Sequence, residues 1–122
     1  MERSLPRSER LRTLGAIRRL FSEGEAGFVF PFRYVWYAEA DTEPNVEVLF
    51  SVPKKFHKRA NKRNLLRRRT KEAYRLSKHH LLSQLGPRHG DLALIYSSNE
   101  IVSYAKIEHS LKRILETIVA RL

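Results

Sequence analysis

The apolar residues of this chain change period several times, and each change marks an element. Leu14, Ile17, Leu20 and Phe21 recur at helical spacing, with Thr13 or Ser8 suited to cap the start and Gly24 the end. Arg18 and Arg19 then fall on the exposed side of that helix. The aromatic and β-branched run that follows reads as a strand from about Phe30 to Ala38. Alternation puts Phe32, Tyr34 and Trp36 on one face and Arg33, Val35 and Tyr37 on the other. Asp41-Thr42-Glu43-Pro44-Asn45 is turn-like and leads into a second strand, Val46 to Val52, which Pro53 ends. The short gap between the two strands predicts an antiparallel hairpin.

A second helix is predicted from about Lys62 to His79. At 100° per residue, Arg63, Asn64, Arg67, Arg68, Lys71, Tyr74, Arg75 and Lys78 share an arc of about 140°. Leu65, Leu66, Ala73 and Leu76 take the opposing arc, and Arg69 is the misfit that must snorkel past it. Gly86-Pro87 breaks this pattern. Asp91 to Tyr96 is then a near-continuous apolar strand, as expected of one buried on both faces. The final helix has the clearest periodicity, through Ile107, Leu111, Ile114, Leu115, Ile118, Val119 and Leu122, with Ser103 placed to cap it. The order is α-β-β-α-β-α: an α+β fold, a small mixed sheet with helices packed on it. No internal repeat or low-complexity tract interrupts it.

Composition narrows the class. The 122 residues suit one domain, read as a flexible basic arm over residues 1–10 and an α+β domain over 11–122. No apolar run approaches the ~20 residues of a membrane span, and the N-terminus lacks the apolar core of a secretory signal. There is no cysteine, hence no disulfide framework and no thiolate ligand or nucleophile. A cytoplasmic protein is the simplest reading.

Charge sharpens it further. Twelve of the 24 Lys and Arg residues lie between Lys54 and Lys78 against one acid, Glu72. That window carries a net +11, equal to the whole chain, so the remainder is neutral in sum. Most charge runs are merely solvated surface, but those are laced with compensating acids at i,i+4, which this one lacks. A stripe of guanidinium and ammonium groups fits a phosphate-lined polyanion, and arginine adds bidentate phosphate binding and stacking on bases. Contact with six to ten phosphates would cost roughly 10³–10⁵-fold in affinity between 50 and 200 mM salt. A DNA-reading helix-turn-helix fits poorly, because no second helix lies close enough in sequence. Nothing points to chemistry within the chain. His57, His79, His80, His89 and His109 have no metal-ligand spacing, His79 and His80 suit a helix end, and Asp91 and Glu108 stand as isolated acids. No catalytic residue and no metal ligand is therefore expected.

The spacing carries more than the charge. Ser51-Val52-Pro53-Lys54-Lys55, followed by Arg63, Asn64, Arg67, Arg68, Lys71, Glu72, Ala73, Tyr74 and Arg75, resembles the bacterial ribonuclease P protein component. That family has an SVSKK-like strand end and then a helix of pattern R-N-x-x-[KR]-R-x-x-[KR]-E-x-[FY]-R. The first helix, the strand from Asp91 and the terminal helix occur in the family's order, so the resemblance spans about Leu11 to Leu122. There are departures. Phe56-His57-Lys58-Arg59-Ala60 is longer and more basic than the family's Gly-Asn-Ala connector. Ile17 stands where many members carry Phe, while Phe21 keeps the second such position, and Arg69 replaces an aliphatic residue.

The resemblance implies a sandwich like the second domain of ribosomal protein S5, with a left-handed crossover around the basic helix. It implies a protein subunit of a ribonucleoprotein endonuclease, a hydrolase in which a catalytic RNA uses Mg²⁺ to remove the 5′ leader of precursor tRNA. One protein per RNA is expected, with no cofactor held by a protein motif. RNA contacts would come from Lys54, Lys55, Lys58, Arg59, Lys62, Arg63, Asn64, Arg67, Arg68, Lys71 and Arg75. Leader contacts would come from a cleft between the first helix and the sheet, with Phe21 joined by Phe32 and Tyr34 of the Trp36 face as stacking candidates, or by the Arg33/Tyr37 face instead. The competing reading is a basic RNA-binding protein, ribosomal or chaperone-like, with no processing role.

Overall fold

A computed structural model describes residues 14–122; the basic arm and the Ser8 or Thr13 cap lie outside the described residues. The elements are α1 (Leu14–Glu23), β1 (Glu25–Val29), β2 (Phe32–Ala40), β3 (Asn45–Ser51), α2 (Ala60–Leu85), β4 (Arg88–Tyr96) and α3 (Tyr104–Ala120). The class is the α+β one read from the sequence, with one strand more. β1 escaped notice because its five residues, EAGFV, are short and carry no strong alternation.

The hairpin expected between the strands at 32–40 and 45–51 does not form. The sheet order is β1-β2-β4-β3, so β4 lies between them, antiparallel to β2 and parallel to β3. The short link sets the strands antiparallel in direction, but burial decides neighbours. β4, the most buried strand, takes a central place, and Asp91 to Leu94 and Tyr96 are all buried.

One sheet face carries the main core. Phe32, Tyr34, Trp36, Val46, Val48, Leu92, Leu94 and Tyr96 pack against α2 and α3, which supply Leu66, Ala73, Tyr74, Leu81, Leu85, Ile107, Leu111, Ile114 and Ile118. Each such side chain removed from water contributes about 1.5–3 kcal/mol. Phe32 and Tyr96 meet edge to face at 5.6 Å. The Tyr34 ring lies where a side chain on residue 27 would stand, so close an approach that only glycine is accommodated at Gly27.

α2 is longer than predicted, and its buried stripe is rotated. Leu66, Thr70, Ala73, Tyr74, Leu81 and Leu85 face the core, whereas Leu65 is half-buried and Leu76 is 54% exposed. Tyr74 therefore leaves the cationic arc: its ring packs edge-on to Phe50 at 6.0 Å. Thr70 is tolerated inside because its hydroxyl donates to the Leu66 carbonyl at 2.8 Å. His79 and His80 are exposed but lie short of the helix end, which comes at Gly86, whose φ of 67° suits glycine. α3 starts as predicted, with the Ser103 hydroxyl accepting from the Lys106 amide at 3.2 Å.

α1 packs on the other sheet face through Leu20, which meets Val35 and Ala93, with Ile17, Tyr37 and Leu49 around them. Phe21 turns away from this contact and is 49% exposed. Arg19 does not project freely as expected; it reaches back over the sheet, with its guanidinium carbon 5.1 Å from the centre of the Tyr37 ring.

The segment between β4 and α3 is held by one phenol. The Tyr96 hydroxyl donates to the Glu100 carbonyl at 2.6 Å and accepts from the Val102 amide at 3.1 Å. Burial, its largest influence, raises the pKa of this phenol above its ordinary value, which keeps the donating form. Tyr96→Phe should lower unfolding free energy by about 1–3 kcal/mol, read as a lower midpoint in chemical denaturation followed by circular dichroism. An unchanged midpoint would show that this phenol does not hold the segment.

Candidate RNA interface

The basic segment begins where β3 ends. Pro53 accepts from the amides of Phe56 and His57 at 3.2 and 3.3 Å, forming a tight turn that leaves Lys54 and Lys55 exposed. The connector before α2 is pinned at two points. His57 is buried, its Nε2 2.8 Å from the Ser98 carbonyl and its ring edge-on to Tyr96 at 5.6 Å. A carbonyl only accepts, so Nε2 carries a proton and donates. The second pin is Arg63, whose guanidinium donates to the His57 and Lys58 carbonyls at 3.0 and 2.7 Å. Lys58 and Arg59 are exposed on the loop so formed.

Position on the α2 wheel decides what each cation does. Arg63 lies seven residues before Thr70 and eleven before Tyr74, on the buried stripe. Its guanidinium is consumed by the connector, so its first role is to shape the loop. Asn64 and Arg68 are exposed, with Arg67, Lys71 and Arg75 half-exposed beside them, a row that points away from the core. Arg67 donates to the Asn64 side-chain oxygen at 3.4 Å. Arg75 forks onto Glu72, Nε to one oxygen at 3.1 Å and Nη2 to the other at 2.6 Å. That hydrogen bond is the main reason the Glu72 carboxyl titrates below its usual range. Lys62 is half-buried at the helix start, and the Lys71 ammonium lies 5.9 Å from the centre of the Phe50 ring. Arg69 resolves its conflict by donating to the Val102 carbonyl at 3.0 Å, a tie between α2 and the β4–α3 segment rather than an outward contact.

Of the stacking candidates, two are withdrawn from solvent. Phe32 is fully buried and Tyr34 is 6% exposed, because both belong to the face that α2 and α3 cover. Neither offers a ring to a base in this fold; Phe21 does. The face left partly open is the opposite one. Strand register lines up Phe28, Arg33, Ile95 and Ser51 as one row across all four strands. In the next row, where Ala26, Val35, Ala93 and Leu49 are opposed, α1 covers Val35, Ala93 and Leu49. Phe28 is 57% exposed and Arg33 is exposed, and Ser51 stands three residues before Lys54. The row thus runs into the basic turn. Phe28 was missed because β1 was missed; its register opposite Arg33 is the signal, and only the paired strand reveals it.

A hollow of about 600 Å³ opens elsewhere, at the far end of β2, with Glu23, Glu25 and Glu39 on its rim beside Arg88 and Arg121. Its acids suit a nucleic acid less well than the α2 row does.

A sequence model of the family described as Ribonuclease P matches residues 5–119. The chain belongs to the ribonuclease P protein family. The ribonuclease P protein component of Porphyromonas gingivalis is 35% identical, with 91% of this chain and 83% of that protein aligned. That of Chlorobaculum tepidum is 36% identical, over 92% of this chain and 83% of the relative. The fold agrees with solved ribonuclease P proteins. The Staphylococcus aureus protein superposes with a TM-score of 0.70 at 20% identity, covering 92% of this chain and 96% of that one. The Thermotoga maritima protein gives 0.70 at 22% identity, covering 89% and 96%. The role is accordingly that of the protein subunit of the tRNA-processing ribonuclease, partnered by ribonuclease P RNA. This favours processing over a purely ribosomal or chaperone role. Among the described residues no helix is long and apolar enough to cross a membrane.

The two classes of arginine on α2 should separate experimentally. Arg63→Ala leaves two loop carbonyls without their donor and should cost about 1–3 kcal/mol of stability. Arg67→Ala with Arg68→Ala should leave the denaturation midpoint nearly unchanged. The pair should instead weaken binding to ribonuclease P RNA and lower the slope of log affinity against log salt by about two. An unaltered salt slope would remove this helix from the interface.

Proposed function

We propose that the protein docks on the catalytic RNA of ribonuclease P through the α2 row and its connector, and guides the 5′ leader of precursor tRNA across the open sheet face. Docking draws on Lys54, Lys55, Lys58, Arg59, Lys62, Asn64, Arg67, Arg68, Lys71 and Arg75, with Arg63 holding the connector in place. The observation that carries the leader reading is the row Phe28–Arg33–Ile95–Ser51, which is exposed at Phe28 and Arg33 and runs into Lys54. An aromatic ring, a guanidinium and an aliphatic shelf beside a cationic turn are what a single strand needs for base stacking and phosphate neutralisation. Phe21 is the second aromatic available to it.

Phosphodiester hydrolysis belongs to the RNA in this reading, with Mg²⁺ on the RNA as the source of an activated water. The protein's share is positioning. Its fixed cations hold the leader and lower the electrostatic cost of bringing two RNAs together. One protein per RNA and a cytoplasmic location complete the proposal.

Reconstitution with the cognate RNA at low Mg²⁺, scoring 5′-leader release, tests the assignment. Stimulation by the protein is expected, and its absence would sink the reading. The leader contact has its own test. Phe28→Ala should weaken binding of precursor tRNA to the assembled enzyme by about 5–150-fold, the value of one stacked base, while mature tRNA binds as before. Equal losses for both ligands would place Phe28 outside the leader path.

A further inference from the structure

We propose that Glu47, His89 and Asp91 form a binding site for one divalent transition-metal cation of borderline softness, such as Zn²⁺ or Co²⁺. The proposal does not rest on the leader reading. Asp91 was expected to stand alone, but the fold contradicts this. Parallel pairing sets Glu47 of β3 directly opposite Asp91 of β4, and His89, two residues earlier on β4, projects from the same face. One ligand atom from each of the three lies within 4.8 Å of the others.

The geometry is that of a partly satisfied site. His89 Nε2 stands 2.9 Å from Asp91 Oδ1 and 3.7 Å from Glu47 Oε2. A single N–H serves the first acceptor, and the second is beyond hydrogen-bond reach. With metal bonds of about 2.1 Å, these two separations subtend roughly 90° and 120° at a central ion, within the range such ions accept. Glu47 is the most exposed of the three and free to close the remaining gap by turning its outer torsions.

A second observation points the same way. Asp91 is wholly removed from solvent, yet its Oδ2 accepts no hydrogen bond and has only a 3.6 Å ion pair with Arg19. Arg19 also pairs with Glu39 at 3.2 Å. One guanidinium thus pairs with two carboxylates, those of Glu39 and Asp91, while Glu47 adds a third negative charge opposite Asp91. A divalent cation on this carboxylate would balance that charge and supply the full partner that Oδ2 lacks. One nitrogen and two carboxylates form a donor set for Zn²⁺, Co²⁺ or Mn²⁺ rather than for soft ions, and three ligands leave a position for water. Asn45 can support the site. Its amide lies 3.4 Å from His89 Nδ1 and, turned over, takes the Nδ1 proton through its oxygen.

The test uses the full chain, stripped with chelator and titrated with Co²⁺ at micromolar concentration. Expected are one equivalent bound, a visible d–d absorption band, and paramagnetic broadening of the His89 imidazole signals. His89→Gln should abolish the band and Glu47→Gln should weaken binding by about tenfold or more. His79→Ala with His80→Ala, which removes the adjacent exposed pair, should leave the band intact. The proposal is overturned if the wild-type chain binds no Co²⁺, if the band survives His89→Gln, or if it vanishes with the His79/His80 pair. Broadening of the wild-type His89 signals decides the matter even where a variant fails to fold.

Discussion

Everything in this protein depends on β4 entering the sheet between β2 and β3. Because β4 runs parallel to β3, the chain must travel back along the sheet before it can pair, and α2 makes that journey. A helix of 26 residues spans about 39 Å, whereas a nine-residue strand spans about 30 Å. The crossover helix is therefore longer than the sheet it crosses. Its first turns start beyond the end of β3, where the Pro53 turn and the connector already hold Lys54, Lys55, Lys58 and Arg59. The same insertion gives β4 two buried faces, the upper one carrying Leu92, Leu94 and Tyr96 to the main core and the lower one Asp91 and Ala93 to α1.

The cations of α2 show how geometry divides one residue type among different tasks. Arg63, Arg69 and Arg75 each have a named acceptor in the fold: connector carbonyls, the Val102 carbonyl and the Glu72 carboxylate. Arg63 and Arg69 are thereby consumed in shaping the surface, while Arg75 keeps its place in the outward row with Asn64, Arg67, Arg68 and Lys71 that is proposed to meet phosphates. A fixed loop matters here, because holding cations in place before binding removes part of the ordering cost of association.

Much of this was legible in the sequence, and the failures are instructive. The terminal helix and its Ser103 cap, the buried β4 and the family-specific spacing on α2 were all visible, because each is a local pattern. Pairing was not. Nothing local distinguishes a hairpin between β2 and β3 from two strands that admit a third between them, since the choice rests on where the apolar β4 finds two buried faces. That one error carried others. With β4 misplaced, Asp91 could not be seen opposite Glu47, and with β1 unseen as well the Phe28–Arg33–Ile95–Ser51 row could not be assembled. Tyr74 was misplaced for a different reason: its neighbours on the wheel, Lys71 and Lys78, are cations, yet its ring reaches Phe50. Phe32 and Tyr34 were correctly put on one face with Trp36, but strand alternation cannot say which of two faces the helices will cover.

The open sheet face thus carries opposite charges in separate places, and spacing explains why they coexist. Successive same-face rows stand about 6.8 Å apart, so the Tyr37–Asp91–Glu47 row lies two steps, or about 14 Å, from the Phe28–Arg33–Ile95–Ser51 row. At physiological ionic strength the screening length is about 8 Å, and α1 covers Val35, Ala93 and Leu49 of the row in between. A phosphate beside Arg33 therefore feels little of the acids near His89. Arg19, held over Tyr37 and paired with Glu39 and Asp91, shields what remains. Helix α1 is in this sense a partition: Leu20 seals the middle of the face, leaving the exposed Phe28–Arg33 margin on the basic side and the Glu47–His89–Asp91 cluster on the other.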